Sequence, residues 1–152
     1  MTQFPEALAD LRQSVALAPT KADRHFWLAV TLTQVKDSLD VAMTEFRATV
    51  AADSTGKNAV LAYQQIGLHD YLMKKNWNGA IDILEKANAI DPTNKQTLIW
   101  LGQAYQNAGN RAKALEFYDK VLAIDPNEPN AKKGKESLQK SGAGGTKPAV
   151  KQ

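Results

Sequence analysis

The sequence predicts an all-α chain in which one helical hairpin recurs along the length. Val, Ile and Thr form no alternating runs of strand length, so strands are not expected. An alanine that opens a short apolar pattern recurs at intervals of 35, 38 and 34 residues, at Ala7, Ala42, Ala80 and Ala114. A nearly constant period in this range is typical of stacked hairpins, because each buries its apolar face on the next. Such arrays mostly bind other molecules.

Turn residues and apolar residues together predict eight helices. Ala18-Pro19, Asp91-Pro92 and Asp125-Pro126 mark helix ends, because the residue before proline is pushed out of the α region. Gly109 suits the left-handed position after a helix, and Asp53-Ser54-Thr55-Gly56 separates two hairpins. The predicted helices are 4–17, 22–36, 38–52, 57–74, 77–89, 94–108, 111–123 and 128–139.

Charge and composition exclude several classes of protein. Residues 1–126 carry 13 Lys+Arg against 14 Asp+Glu, whereas residues 127–152 carry six lysines against two glutamates. The net charge of +3 therefore resides in the C-terminal end, and a specific nucleic-acid protein is not expected, since these have a basic folded body. No apolar run is long enough to span a bilayer, and the N-terminus lacks the pattern of a signal peptide. A soluble, cytoplasmic protein is expected.

The last complete hairpin carries a recognisable motif. Its residues are Leu98, Leu101, Gly102, Tyr105, Ala114, Tyr118 and Pro126. In type and spacing they resemble the tetratricopeptide repeat (TPR), with leucine in place of the usual tryptophan. The resemblance extends over about residues 5–126.

This resemblance implies a right-handed superhelical solenoid of antiparallel helix pairs, with about eight helices. We expect an array over 4–140, followed by a disordered basic tail over 141–152. The parts of the predicted array are a half repeat at 4–19, repeats at 22–54, 57–92 and 94–126, and a capping helix at 128–139.

Two departures from the motif carry further expectations. In the middle repeat, Ile66-Gly67 fits the motif from one side and Tyr71 from the other, one residue out of register. A bulge or longer turn is therefore expected between Gly67 and Trp77. At the N-terminus, 5–19 resembles only the second helix of a repeat, which predicts a piece of a longer TPR protein or an edge covered by a partner or a second copy.

Catalytic and metal chemistry find no support in the sequence. His25 and His69 are isolated from each other, and no acids cluster at ligand spacing. Thr55-Gly56-Lys57 hints at a phosphate loop, but that motif needs glycine where Ala51 stands and Ser or Thr where Asn58 stands. We expect no enzyme, no metal site and no cofactor.

In the family, the first helix of each hairpin lines a concave groove that binds a protein segment. Carried over to this chain, the resemblance places amides and one large aromatic side chain on that surface. The implied partner-binding residues are Arg24, Trp27, Thr31, Gln34, Gln65, His69, Gln96, Ile99, Gln103, Gln106 and Asn107. These residues can also be explained without a binding role. Trp27 and Ile99 would then pack between helices, and the glutamines would lie on solvated helix surfaces.

The function expected from these features is a scaffold that captures a partner peptide or helix. Family members that grip a chaperone's terminal carboxylate use a lysine and asparagines where this chain has Trp27, Thr31, Ile99 and Gln103, so such an adaptor is not expected. Two alternatives stay open. One is an assembly segment that acts, or self-associates, through its uncapped N-terminal edge. The other is weak tethering of the basic tail to an anionic surface.

Overall fold

The computed structural model describes residues 3–143, with side chains for 5–140. Every regular element in that range is helical. The elements are α1 (Gln3–Leu17), α2 (Ala22–Leu32), α3 (Leu39–Ala52), α4 (Ala59–Ile66), a π-helix (Gly67–Leu72), α5 (Trp77–Ile90), α6 (Lys95–Asn107), α7 (Arg111–Ile124) and α8 (Pro129–Ala143). Eight α-helices confirm the predicted fold class. No helix within residues 3–143 is long and apolar enough to cross a membrane.

The chain divides into two compact units at Asp91. In the first, α2 pairs with α3, and α4 with its π-helix pairs with α5, while α1 packs on α2. One cluster of its core surrounds Phe26 and Phe46, whose rings meet edge to face at 6.1 Å, and a second contains Tyr63. In the second unit α6 pairs with α7, and α8 packs against both.

The recurring alanines lie at the centre of the hairpins. Ala42, Ala80 and Ala114 are completely buried, and so are the large side chains four residues after the first and last of them, Phe46 and Tyr118. Small residues at these points let the paired helices approach closely. Ala7 is exposed. It is therefore not packed between paired helices as the other three alanines are.

All three hairpin turns share one backbone feature. Asp37, Lys75 and Gly109 have positive φ values of 59°, 58° and 82°, and each lies two residues before the next helix begins. Gly109 takes the left-handed conformation that the sequence predicted for it. In the other two turns a residue with a side chain adopts the same strained conformation.

Three helix ends differ from their predicted positions by at least four residues. The predicted helix 57–74 is α-helical only to Ile66, after which the π-helix begins. α2 ends at Leu32 rather than at 36, because the next residues form hydrogen bonds that span three residues instead of four. The backbone N–H of Gln34 donates to Thr31 O (3.1 Å), and the backbone N–H of Val35 donates to Leu32 O (3.0 Å). The last helix, α8, was predicted to end at 139 but continues to Ala143, so the predicted start of the tail at 141 lies inside a helix. Residues 144–152 of that predicted tail lie outside the described residues.

A buried histidine connects three segments of the first unit. His25 Nε2 contacts the Pro19 carbonyl oxygen at 2.8 Å, and Nδ1 contacts a Glu45 carboxylate oxygen at 2.6 Å. A carbonyl can only accept, so Nε2 carries a proton, and donation from Nδ1 to the carboxylate makes the ring cationic. Burial alone lowers the pKa of His25, but the bonds to Glu45 and Pro19 outweigh it and raise the pKa above 6.5.

A side chain in the second unit depends on two glycines. Tyr118 on α7 lies against Gly102 of α6, where an added Cβ would come within 2.6 Å of its ring, and against Gly134 of α8, where a Cβ would overlap the ring. Its hydroxyl donates to Gln106 Oε1 at 2.8 Å. Burial raises the pKa of Tyr118 to about 12, so this proton stays in place at neutral pH.

We expect the first unit to lose stability as pH rises from about 6.5 through the raised pKa of His25. The folded state binds this proton more tightly than the unfolded state, so its contribution is complete below the unfolded pKa and disappears above the folded one. Urea unfolding at a series of pH values measures the loss, and imidazole NMR measures the pKa. His25→Gln should abolish this pH dependence, whereas the matched variant His69→Gln should keep it. An unchanged profile in His25→Gln would contradict the assignment.

We expect Gly134→Ala to destabilise the second unit by about 1–3 kcal/mol, since the added methyl group displaces the Tyr118 ring. The usual effect of this change inside a helix is the opposite, a gain of about 0.5–1 kcal/mol. Thermal unfolding followed by circular dichroism measures the change. In a double-mutant cycle, Tyr118→Leu should reduce the cost of Gly134→Ala, and strictly additive costs would show that the two residues do not share this contact.

Candidate partner-binding surface

On α2 the predicted site residues form a short strip along one face. Arg24, Trp27 and Thr31 recur at helical spacing, and Trp27 is 55% exposed, with its ring edge-on to Phe26 at 5.3 Å. Exposure of more than half of an indole leaves a large apolar surface for a partner. Trp27 is therefore the large apolar side chain that α2 leaves exposed.

The other residues predicted around α2 already have contacts within the protein. The Arg24 guanidinium donates to Ser14 O at 2.7 Å and so connects α2 to α1. The Thr31 hydroxyl donates to Trp27 O at 2.9 Å, within the helix. Gln34 lies beyond the end of α2, in the turn, where its amide donates to Thr33 Oγ1 at 3.2 Å. The strip on α2 therefore ends at Thr31.

The packing of the glycines determines the register of α4. An added Cβ on Gly67 would lie against Leu84, four residues after Ala80, just as one on Gly102 would lie against Tyr118, four residues after Ala114. Gly67 therefore corresponds to Gly102, and the residues before it are aligned without a gap. The residues of the first unit that correspond to Gln96, Ile99 and Gln103 are Leu61, Gln64 and Leu68.

This register differs by one residue from the prediction of Gln65 and His69. Tyr105 follows its glycine by three residues, whereas Tyr71 follows Gly67 by four. The π-helix, whose hydrogen bonds span one residue more than those of an α-helix, absorbs this additional residue within Gly67–Leu72. The sequence predicted an irregularity between Gly67 and Trp77. Only the packing of Gly67 against Leu84 shows which residues of α4 align with those of α6. Leu61 is 48% exposed, Leu68 is half-buried and Gln64 is buried.

His69 lies inside the π-helix, half-buried, and its Nδ1 is buried without a hydrogen-bond partner. The next residue, Asp70, forms ion pairs with Arg47 of α3 and with Lys74. These contacts tie the irregular segment to the preceding hairpin. They give the π-helix a structural role beside its effect on the register.

On α6 the predicted residues differ in how far a partner could reach them. Gln96 and Asn107 are exposed and Gln103 is half-buried, while Ile99 is only 5% exposed and belongs to the core. Gln106 accepts the hydrogen bond of Tyr118, and the Asn107 amide donates to Gln103 O at 2.8 Å. The surface that α6 offers is therefore a row of amides, with Gln96 and Gln103 the most available. The apolar residue of this predicted set, Ile99, packs into the core instead.

The repeat period points to further residues that the sequence reasoning missed. Thirty-four residues after Gln96, Ile99, Gln103 and Gln106 lie Asn130, Lys133, Ser137 and Lys140, all on α8. The helix was predicted only as a cap, and its polar sequence hid the fact that it also continues the first-helix positions. The period of 34 residues alone was sufficient to find them.

The described residues on these surfaces include few groups suited to catalysis or to metal binding. Among residues 3–143 no three His, Cys, Asp or Glu side chains are grouped to hold a metal ion. Both ring nitrogens of His25 are engaged in the core, and Asp70, beside His69, is engaged in ion pairs. The groups that these surfaces expose are the apolar side chains of Trp27 and Leu61 and the side-chain amides of α6.

The sequence matches known proteins over part of its length. The tetratricopeptide repeat model matches residues 71–138. The chain is 33% identical over 109 residues to the cellulose synthase operon protein C of Pseudomonas fluorescens, and 35% identical over 88 residues to the small glutamine-rich tetratricopeptide repeat-containing protein 2 of Mycosarcoma maydis. These alignments include 63% and 55% of this chain, but only 8% and 23% of the respective relatives.

Solved structures share the fold over more of the chain. A crystal structure of MamA superposes with a TM-score of 0.77 at 23% identity, covering 92% of this chain and 79% of that one. The second TPR domain of human RPAP3, determined in complex with the HSP70 peptide SGPTIEEVD, superposes with a TM-score of 0.51 at 18% identity, covering 66% of this chain and 80% of that domain. The family match identifies residues 71–138 as tetratricopeptide repeat, and the superposition on MamA shows that the fold extends over 92% of the chain.

Proposed function

We propose that this chain is a non-catalytic interaction scaffold, which binds a segment of a partner protein on the exposed faces of its first helices. The observation that carries the proposal is Trp27, an indole more than half exposed on α2, where a core residue would be covered. Tryptophan is among the residues that contribute most to binding when a partner buries it. In the same unit Leu61 adds exposed apolar surface at the start of α4.

The second unit supports the same function with different chemistry. Gln96 and Gln103 present side-chain amides, each of which can donate to and accept from the main chain of a bound segment. Hydrogen bonds of this kind recognise a backbone with little regard to its side chains. The RPAP3 domain, which shares the fold, was determined with a peptide bound, and this supports a peptide as the kind of ligand.

The N-terminal edge offers a second contact surface. Leu17, at the end of α1, is 75% exposed. This favours, as a second candidate function, assembly or self-association through α1. A cytoplasmic location stays a prediction, and so does tethering through the basic tail.

We expect photo-reactive side chains at Leu61 and Gln96 to cross-link to a partner protein, and those at matched exposed positions on second helices to fail. The controls are Val41 on α3 and Ala123 on α7, both exposed. Mass spectrometry of the cross-linked fragments identifies the bound segment. Cross-links from the controls or from Leu17, without any from Leu61 and Gln96, would move the function to another surface.

With the identified segment in hand, Trp27→Ala should weaken binding by about 2 kcal/mol, or roughly thirtyfold, since the loss of a buried indole is among the costliest truncations at an interface. Val41→Ala, which removes an exposed apolar side chain of α3, is the matched control and should change affinity less than twofold. Isothermal titration calorimetry measures both. An unaltered affinity in Trp27→Ala would exclude α2 from the contact.

A further inference from the structure

We propose that the surface formed by α6 and α8 in the second unit binds an acidic segment of a partner protein. Lys133 and Lys140 form ion pairs with its carboxylates, and the side-chain amides of Gln96 and Gln103 form hydrogen bonds with its main chain. This inference rests on the proposed function and specifies the ligand of one of its surfaces. It comes from the juxtaposition of a cationic helix face with a row of amides.

The geometry of α8 separates this face from the core. Asn130, Lys133, Ser137 and Lys140 recur at i, i+3, i+7 and i+10, so they form one strip along the helix. The buried side of α8 is a different one, formed by Ala131 and Leu138 with Gly134 against Tyr118. Because α8 packs against α6, its strip continues the positions that Gln96 and Gln103 occupy on α6.

Half of the eight cations of the second unit form ion pairs with neighbouring residues. Lys95 pairs with Asp125 at 2.8 Å, Lys113 and Lys120 both pair with Glu116, and Lys135 pairs with Asp119. In the described part of the chain, no carboxylate lies within ion-pair distance of Lys133 or Lys140, although Glu136 is on the same helix. Between residues 92 and 143 there are eight Lys+Arg against five Asp+Glu, and four of the eight cations are on α8. Four of these cations form no ion pair in the described part of the chain, and three of them, Lys132, Lys133 and Lys140, are on α8. The unpaired positive charge is therefore concentrated on this helix, which carries the strip.

A protein segment fits this surface better than other polyanions do. The two lysines are seven residues apart, or about 10 Å along the helix, a distance that acidic residues on a partner helix or an extended segment can match. Nucleic acid would need phosphate contacts along a longer basic surface and aromatic side chains for its bases, and the strip has neither. It also lacks apolar residues that could enter a bilayer.

The probe that tests this inference is a fluorescein-labelled peptide of alternating glutamate and alanine, blocked at both ends so that it has no terminal carboxylate. Fluorescence anisotropy with the full chain should show binding that weakens between about 50 and 300 mM salt, since the contacts are exposed. The same peptide with glutamine in place of glutamate should bind at least tenfold more weakly. Lys133→Gln/Lys140→Gln should weaken binding of the acidic peptide about five- to tenfold.

The matched control is Lys113→Gln/Lys120→Gln on α7, which changes the net charge by the same amount but removes lysines that are paired with Glu116. It should change affinity less than twofold, and circular dichroism should show both variants folded. Equal losses in the two variants would overturn the proposal, because general attraction to a cationic protein would then explain the binding. So would failure of the acidic peptide to bind, or tighter binding of single-stranded DNA or anionic vesicles through the same two lysines.

The cross-linking experiment on Leu61 and Gln96 keeps the two proposals distinguishable. Cross-links from Gln96 to a partner segment without acidic residues would overturn the acidic ligand and leave the scaffold function standing. Absence of cross-links from both first-helix positions would overturn the scaffold function, whereas the peptide titration would still report on the lysine strip.

Discussion

The close approach of paired helices is the constraint on which the rest of the structure depends. In two hairpins a glycine of the first helix lies against a large side chain of the second, Gly67 against Leu84 and Gly102 against Tyr118. Only a residue without a side chain leaves this space, so the contact determines both the distance between the helices and their register. In the second unit Gly134 brings α8 against the same Tyr118 ring. The exposed positions of α6 and α8 follow from how this ring is enclosed.

The same constraint explains why an extra residue produced a π-helix. With Gly67 held against Leu84, and Tyr71 packed against the core cluster of the first unit, the segment between them cannot shift as a whole. An additional residue must then be absorbed locally, and a π-helix does so while the backbone remains hydrogen-bonded. The consequence for function is that positions before the π-helix keep the repeat register and those after it are displaced by one. Leu61, rather than a residue nearer the irregularity, is the exposed apolar residue of α4 in this register.

Elements that depend on local pattern could be predicted from the sequence, and those that depend on neighbours could not. Gly109 indicated its turn because glycine favours a positive φ, whereas Asp37 and Lys75 take the same conformation only because the hairpins around them require it. The exposure of Trp27 does not follow from its place in the motif, because Ile99, which takes the equivalent place in the last repeat, is buried. The hydrogen bond of Gln106 could not be predicted either, since its partner Tyr118 comes from another helix. Ile99 was assigned to the binding surface by position, but the packing of the second unit buries it.

The two units show how one repeated geometry can carry different chemistry. Up to Asp91 the chain has nine Lys+Arg against eleven Asp+Glu, and its first helices expose apolar side chains at Trp27 and Leu61. Beyond Asp91 cations predominate, and the exposed first-helix positions hold amides on α6 and lysines on α8. These side chains contribute little to the core, so they can change without loss of the fold, whereas the buried alanines and glycines cannot. The repeat therefore determines which positions are exposed, and the residues at those positions determine the chemistry that each unit exposes.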